Sequence, residues 1–524
     1  MKKIFKELLN KKRIYLDFTD KKNKEKVVED LKLTNYLSEI SEAPNSSEII
    51  ITDKPETSGK NIISVIPVKL NIDFFKTLAL NIHKSILFKN MLYIVPEEYT
   101  MKEVNKVVLS LFILISLVQI ILIPFIPKDD LLRHLVAHKI NFDYSNIFIN
   151  TDLPKWDFHF TYDFIAGIIY QVFQYFPFHH LNEYGPIIFI QTIIFLCFLY
   201  AVRLNTKDLS VPTYVFLTSL ILWIVFERLL LGRPTTLSLV LFLASIGFLK
   251  NKKETMALVS MTILSVMYYL FFIYLFPLIF FYRKTIFPII AGTVFWGIYA
   301  FIQGGNYFSD VFHYVLTLST SGIKASENYS IINFIGKPIL VFALVLIIVY
   351  FNKIRKEYFY TSLYFYLSNQ VRYLEVISPL TLISISPLIS TFTKKVLKGN
   401  PILLVILSIS ILIGTFPRNS ESLPNKNLCE EIRNSKIKTT LEGNFRLMYS
   451  CIDYGIKINP AMEIRWSNDL EIDKKLIKGK ISCSSPALHK YDFLYEKSLK
   501  QKYPCLKIKN IDGKYRLWKI QKSF

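Results

Sequence analysis

The sequence predicts an α-helical polytopic membrane protein with a small polar domain at each end. Three observations predict it. Of the 524 residues 52% are hydrophobic and 15% aromatic, with a mean hydropathy of +0.33. Apolar runs recur from Val107 to Phe416 at lengths near the roughly 20 residues that cross a bilayer. Net charge is +22, and much of the Lys and Arg lies in short loops between apolar runs, as the positive-inside bias requires. A basic excess in a soluble chain would point to nucleic acid; with much of it in short loops between spans, it argues against that partner.

Residues 1–105 read as a small α/β domain. β-branched apolar runs at Arg13–Phe18, Glu48–Thr52, Ile62–Pro67 and Met91–Pro96 are expected strands. Charged helical patterns fall at Lys22–Leu33 and Ile72–Phe88, between some of those runs. Nothing in it resembles a phosphate loop. A cleavable signal would place its apolar core within about the first 30 residues, whereas Met1 is followed by a mixed polar stretch. The first span is therefore expected to act as an anchor, with the N-terminal domain left in the cytoplasm.

Residues 106–416 are expected to form the transmembrane domain, including an outer loop at 127–183. Val107–Ile126 is the first span. The run Phe164–Phe176 is short and carries Tyr170, Gln171 and Gln174. If it spans, Arg203/Lys207 and Lys250/Lys252/Lys253 fall outside. If it lies flat in the interface, they fall inside with Arg283/Lys284, Lys353/Arg355/Lys356 and Lys394/Lys395/Lys398. Only the flat placement satisfies the charge bias at every short loop. The remaining spans are then Tyr184–Val202, Val211–Glu227, Pro234–Leu249, a hairpin of two short helices over Met256–Tyr282, Ile286–Ile302, Phe334–Phe351, Tyr358–Gln370, Val376–Phe392 and Pro401–Phe416. That makes about eleven transmembrane helices. The hairpin is assigned because both of its flanks are basic.

Residues 417–524 are expected to be a small extracytoplasmic domain, ending in a strand-like alternation at Tyr515–Ile520. Cys429, Cys451, Cys483 and Cys505 all fall in it. Four cysteines in a polar terminal segment suit two disulfides with three possible pairings, and an oxidising compartment. The alternative is reduced, partly buried thiols.

The outer face collects ionisable residues beside the membrane. Asp129 and Asp130 follow the first span, with Arg133 and His134 next in line. Glu227, Arg228 and Arg233 lie between the third and fourth spans, and Arg372 and Glu375 between the ninth and tenth. Charged groups at span ends pair or line polar cavities, and arginine suits phosphate because its planar fork donates bidentate hydrogen bonds. Acids with arginines on one face suit an anionic, membrane-embedded substrate. Blander readings stand beside these. Asp129-Asp130 suits an N-cap for a helix starting at Leu131. Arg372 and Glu375 have the spacing of a helical ion pair. Asp163 is expected as a cap of the flat helix. His134 and His138 have a metal-competent i,i+4 spacing but no matching acid and third ligand. Lys324 and Glu327 lie in a long outer loop, Gln303–Asn333, that suits a lid.

This layout resembles the GT-C class of polytopic glycosyltransferases, which take sugars from polyprenyl-phosphate donors. Asp129-Asp130 resembles the acidic motif in that class's first outer loop, and Tyr162–Tyr175 its juxtamembrane helix. Arg233-Pro234 resembles a turn found in many members. Arg372-Tyr373 with Pro379 is similar to the Arg-Tyr…Pro stretch of the protein-mannosyl and aminoarabinose transferase branches. The Asp-Asp pair departs from the commoner Asp-Glu or Asp-x-Asp, and the N-terminal domain is extra.

The resemblance implies transfer of a sugar from a polyprenyl-phosphate-linked donor to a glycan, lipid or protein acceptor at the outer face. Asp129 or Asp130 would be the base. Arg372, with Arg233 or Arg228, would stabilise the leaving phosphate. A divalent cation (Mg or Mn) on the aspartates is open, because members differ. The expected location is the plasma (inner) membrane. Two other classes share the outer arginines: a transporter or flippase of a lipid-linked saccharide, which needs polar residues deep in the spans, and a non-catalytic membrane scaffold of the same fold.

Overall fold

The computed structural model describes residues 14–17, 49–52, 62–67, 91–95, 101–122, 131–149, 156–320, 338–367, 374–396, 401–415, 423, 426–434, 436, 438–440, 445–458, 471, 475, 493–494, 508–512 and 517–520. The chain divides into two compact units, Met1–Val107 and Val108–Phe524.

In the first unit β1 (Ile14–Asp17), β2 (Ile49–Thr52), β3 (Ile62–Pro67) and β4 (Met91–Val95) form one sheet in the order β1-β2-β3-β4. Every neighbouring pair is parallel. Parallel strands are usually covered on both faces and read as unbroken apolar runs; Ile49-Ile50-Ile51 and Met91–Val95 have that character. The helical patterns at Lys22–Leu33 and Ile72–Phe88 lie outside the described residues.

The second unit is mostly helical. It begins within α1 (Met101–Leu122), whose first turns belong to the first unit, and continues with α2 (Leu131–Val136), α3 (Phe160–Gln174), α4 (His179–Asn205), α5 (Val211–Leu230) and α6 (Pro234–Lys250). There follow α7 (Glu254–Met267), α8 (Phe271–Ile279), α9 (Ile286–Ile302), α10 (Tyr307–Thr320), α11 (Pro338–Val349) and α12 (Lys356–Leu367). The last apolar helices are α13 (Leu374–Ser384), α14 (Ser386–Val396) and α15 (Pro401–Thr415). Asn182–Asn205, Val211–Leu230 and Arg283–Ile302 are each long and apolar enough to cross a membrane. Of the shorter apolar helices, Pro234–Lys250 packs on Asn182–Asn205 and Glu254–Met267 on Arg283–Ile302, and Val108–Leu122 and Leu340–Val349 complete the set. Pro at the first turn starts α5 and α6 with a preset φ where no N–H is needed.

The expected span Val376–Phe392 is built of two helices, α13 and α14, bent by 53° at Ile385, the form of a broken span or of a re-entrant loop. Pro387 lies just past the bend, and proline cannot donate the backbone bond a continuous helix would need there. The stretch Met256–Tyr282 is a hairpin: α7 and α8 break at Tyr268–Leu270, and its two feet meet. Lys284 Nζ lies 2.9 Å from Glu254 Oε2, and the Tyr282 hydroxyl donates to the same oxygen at 3.0 Å.

The bundle has two distinct ends. At one, Asn205 O accepts from Arg355 Nη1 at 2.7 Å and from Lys250 Nζ at 3.1 Å. Arg355 also pairs with Asp208, and Arg203 lies over the Tyr214 ring. The short loops after α4, α6 and α11 therefore converge there. The other end holds α2, α3 and the α5–α6 turn, with the C-terminal segment docked on them. That segment contains α16 (Lys426–Asn434), β5 (Thr439–Thr440), α17 (Phe445–Ser450), β6 (Lys457–Ile458), β7 (Phe493–Leu494), β8 (Ile508–Asp512) and β9 (Leu517–Ile520). Its strands make a mixed sheet in the order β6-β5-β7-β9-β8.

Docking uses backbone and side chains. Phe148 bridges Ile458 in parallel, with Ile458 N–H donating to Ile147 O at 2.8 Å and Ile149 N–H to Ile458 O at 3.1 Å. Tyr449 donates to Glu183 O at 2.8 Å, and Lys139 pairs with Asp453 at 2.8 Å. Cys429 and Cys451 form a disulfide, around which Leu428, Ile432, Leu447 and Ile456 are buried. Cys483 and Cys505 lie outside the described residues.

Candidate functional site

The buried polar residues at the docked end gather where α2, α3 and the α5–α6 turn meet. All six residues of α2 are buried, Arg133 and His134 among them. The helix lies along α3, and the 3-10 turn Ala137–Ile140 that follows it comes close because of Gly167: a Cβ there would lie 2.8 Å from that of His138. The face of α3 toward this loop carries Tyr162, Asp163, Ala166, Gly167 and Tyr170. Its opposite face exposes Phe164, Ile165, Ile168 and Val172.

Asp163 is the centre of the cluster. His134 Nδ1 donates to its Oδ1, and the Tyr144 hydroxyl donates to its Oδ2. The expectation that Asp163 caps α3 is wrong. The N-cap is His159, and Asp163 sits a full turn further on, fully buried. An ionised carboxylate is acceptor-only, and here each oxygen takes a side-chain donor. Burial first, then the charges of Asp157 and Asp163, push the Tyr144 phenol well above its ordinary value, so it stays a donor.

Asp157 is a second buried acid of the cluster. Its Oδ1 accepts from the His159 N–H at 2.9 Å. Burial, then the neighbouring Asp163 charge, raise its carboxyl well above the usual carboxylate range. Two carboxyls in one low-dielectric site do not both ionise readily.

The charge of Arg133 acts on Asp157, and Arg233 sits on a turn tied to the cluster. Arg133 lies over the Tyr144 ring at 5.0 Å and is 5% exposed. Arg233 is 7% exposed and occupies the N-cap of α6. Its turn is fixed from two sides: Tyr162 donates to Gly232 O, and Leu131 packs so closely on Gly232 that a Cβ would meet it at 2.8 Å. Gly232 has φ +59, which suits a residue without Cβ. His134 contacts the Tyr162 ring edge-on at 5.1 Å, so one chain of contacts runs from Asp163 to the Arg233 turn. Arg228 is half-buried in the last turn of α5, and its carbonyl accepts from Leu231 N–H at 3.2 Å.

Asp129, Asp130 and Arg372 lie outside the described residues, as do Lys324 and Glu327. The side chain of Glu375, in α13, is also outside them. The structure thus brings Arg133, His134 and the turn of Arg233 to one cluster and adds Asp157, Asp163 and Tyr144, none of which the sequence reading placed in the site. The available signal was the crowding of acids and histidines between residues 129 and 163. The contact turns Nδ1 of the His134 ring, rather than Nε2, toward Asp163. Among the described residues no three His, Cys, Asp or Glu side chains gather as ligands for a metal ion.

No family model, curated protein or solved structure matches the chain.

Proposed function

We propose that the chain is a membrane glycosyltransferase that moves a sugar from a polyprenyl-phosphate donor to a hydroxyl of a glycan, lipid or protein. The proposal takes the bundle as GT-C-like with about eleven spans, the N-terminus and the basic end in the cytoplasm, and the docked C-terminal domain outside. A carboxylate of Asp129/Asp130 accepts the acceptor's proton. The freed oxygen bonds to the anomeric carbon as the bond from that carbon to the phosphate oxygen breaks. Polyprenyl phosphate leaves with the electron pair. Arg233, with Arg228 and Arg372, offsets the charge growing on its oxygens. Asp163 and His134 hold the loop that follows the base.

The observation that supports this reading best is the near-complete burial of Arg133, over the Tyr144 ring that donates to Asp163, and of Arg233, on the turn that Tyr162 holds, at one end of an apolar bundle. Guanidinium groups are costly to bury, and their planar forks match phosphate. The test is the Asp129→Asn/Asp130→Asn variant, reconstituted with labelled polyprenyl-phosphate sugars. Product should fall by about 100-fold or more, the scale of a lost general base, while the protein stays folded. Unchanged product overturns the assignment. Movement of donor across the bilayer without a new glycosidic bond would point to transport instead.

A further inference from the structure

Helix α10 occupies the first part of the expected outer loop Gln303–Asn333, and it has two apolar faces. Tyr307, Val311 and Tyr314 are 5%, 7% and 2% exposed. They pack inward: the Tyr307 hydroxyl donates to Tyr269 O at 2.7 Å, and Tyr314 meets Phe158 and Tyr269 edge-on. The opposite face leaves Phe308, Phe312 and Leu316 at 67%, 70% and 48% exposed. Their i, i+4, i+8 spacing makes a single stripe. Exposed apolar stripes of this kind mark a contact surface.

We infer that this stripe seats α10 in the bilayer interface, on the leaflet that flanks the Asp163 cluster. The inference rests on the membrane reading of the chain and not on any activity. Two features select lipid as the occupant. In sequence the stripe follows an exposed apolar line on α9, formed by Ile290, Val294, Ile298, Phe301 and Ile302, and only a short turn separates the two helices. The second feature is charge. The sole formally charged residue of α10 is Asp310, and it is turned inward, accepting from Trp156 Nε1 at 2.7 Å and from Asn306 N–H at 2.9 Å. A helix face meant for water or a polar partner would carry charge; this one has exposed Ser309 and His313 at its edge but no Asp, Glu, Lys or Arg.

The seat has a mechanical consequence. Trp156 immediately precedes Asp157, and Gly305 lets its ring approach so closely that a Cβ would lie 2.4 Å away. The Trp156–Asp310 bond therefore ties the segment carrying Asp157 and His159 to a helix anchored in lipid.

A photo-crosslinking experiment on the full chain tests this. p-Benzoyl-phenylalanine is placed singly at Phe308, Phe312, Ile290 or Asn146, and the protein is reconstituted in phosphatidylcholine–phosphatidylglycerol vesicles. Ile290 reports the α9 belt, and Asn146 is an exposed loop residue at the docked end. Irradiation should give phospholipid adducts at Phe308, Phe312 and Ile290 at about tenfold the yield at Asn146, because an interfacial helix buries its apolar face at the acyl boundary. Adducts at Ile290 with none above the Asn146 level at Phe308 and Phe312 overturn the inference. So do adducts of Phe312 with residues 321–337 or with a second copy of the chain. No lipid adduct at any position, Ile290 included, would sink the membrane reading beneath it.

Discussion

His134 and Asp163, 29 residues apart in sequence, are joined by a buried hydrogen bond from imidazole Nδ1 to carboxylate Oδ1. With the Tyr144 bond to Oδ2, this carboxylate ties α2, the loop after it and α3 into one unit. Removing the acceptor strands the Tyr144 hydroxyl in an apolar site and takes the imidazole's carboxylate away. Each buried donor deprived in this way costs about 1–3 kcal/mol. Asp163→Ala should therefore lower stability more than Tyr144→Phe, which removes one bond worth about 1 kcal/mol. Denaturation midpoints in mixed micelles measure both. A double-mutant cycle of Asp163→Ala with His134→Ala should show coupling above about 0.5 kcal/mol.

Asp157 gives the fold a pH dependence whose sign follows from its burial. Its folded-state pKa is raised, by burial and then by the charge of Asp163. An acid of this kind holds its proton longer in the folded chain than in the unfolded one. The stability it contributes is fully present below the ordinary carboxylate value, about 4, and is lost as pH rises toward the raised value. Asp157→Asn has no proton to lose. Melting temperatures from pH 4 upward should show the wild type losing ground to Asp157→Asn as pH increases. A parallel course for the two proteins would contradict the raised pKa.

The docked C-terminal segment should depend on backbone pairing more than on its surface ion pair. Lys139–Asp453 is partly exposed, and such pairs contribute about 0–1 kcal/mol. Lys139→Ala should leave hydrogen exchange at residues 144–149 almost unchanged. Ile458→Pro removes the N–H that donates to Ile147 O, and proline cannot replace it. Exchange at residues 144–149 should then rise by about tenfold, as expected for a lost bond near 1.4 kcal/mol. Cys451→Ser, which opens the disulfide behind the same segment, should move exchange in the same direction.

Asn205 anchors the opposite end. Its side chain donates to Ala201 O and Leu243 O, both at 2.8 Å, and accepts from the Tyr358 hydroxyl at 2.6 Å. Asn205→Ala removes all three bonds and leaves the buried Tyr358 hydroxyl without this acceptor. A loss of about 2–4 kcal/mol is expected from bonds of roughly 1 kcal/mol each plus the stranded donor. Asn205→Asp, which keeps an acceptor for Tyr358, should lose less if Asp stays protonated. The same denaturation midpoints measure both variants.

Sequence patterning reached the elements whose signal is local. The β-branched runs at Ile14–Asp17, Ile49–Thr52, Ile62–Pro67 and Met91–Val95 are strands where they were expected. Basic flanks disclosed the hairpin, and the Lys284–Glu254 contact closes it. What escaped depends on partners distant in sequence. An aspartate in the first turns of a helix has the local look of a cap, and only Tyr144 and His134 reveal Asp163 as an acceptor. α10 was hidden because both of its faces are apolar, which blurs the helical period. The 53° bend in Val376–Phe392 left hydropathy continuous and lowered no signal that a window of apolar residues reads.

Sidedness of transfer is the most direct test of the proposed function. Proteoliposomes are sorted so that the C-terminal domain faces the bulk solution, and labelled polyprenyl-phosphate sugar with acceptor is supplied only on that face. A new glycosidic bond should form there with wild-type protein and be lost in the Asp129→Asn/Asp130→Asn variant. Product that forms only when donor and acceptor meet at the Arg355 end would contradict the proposal, and so would product the variant makes equally well.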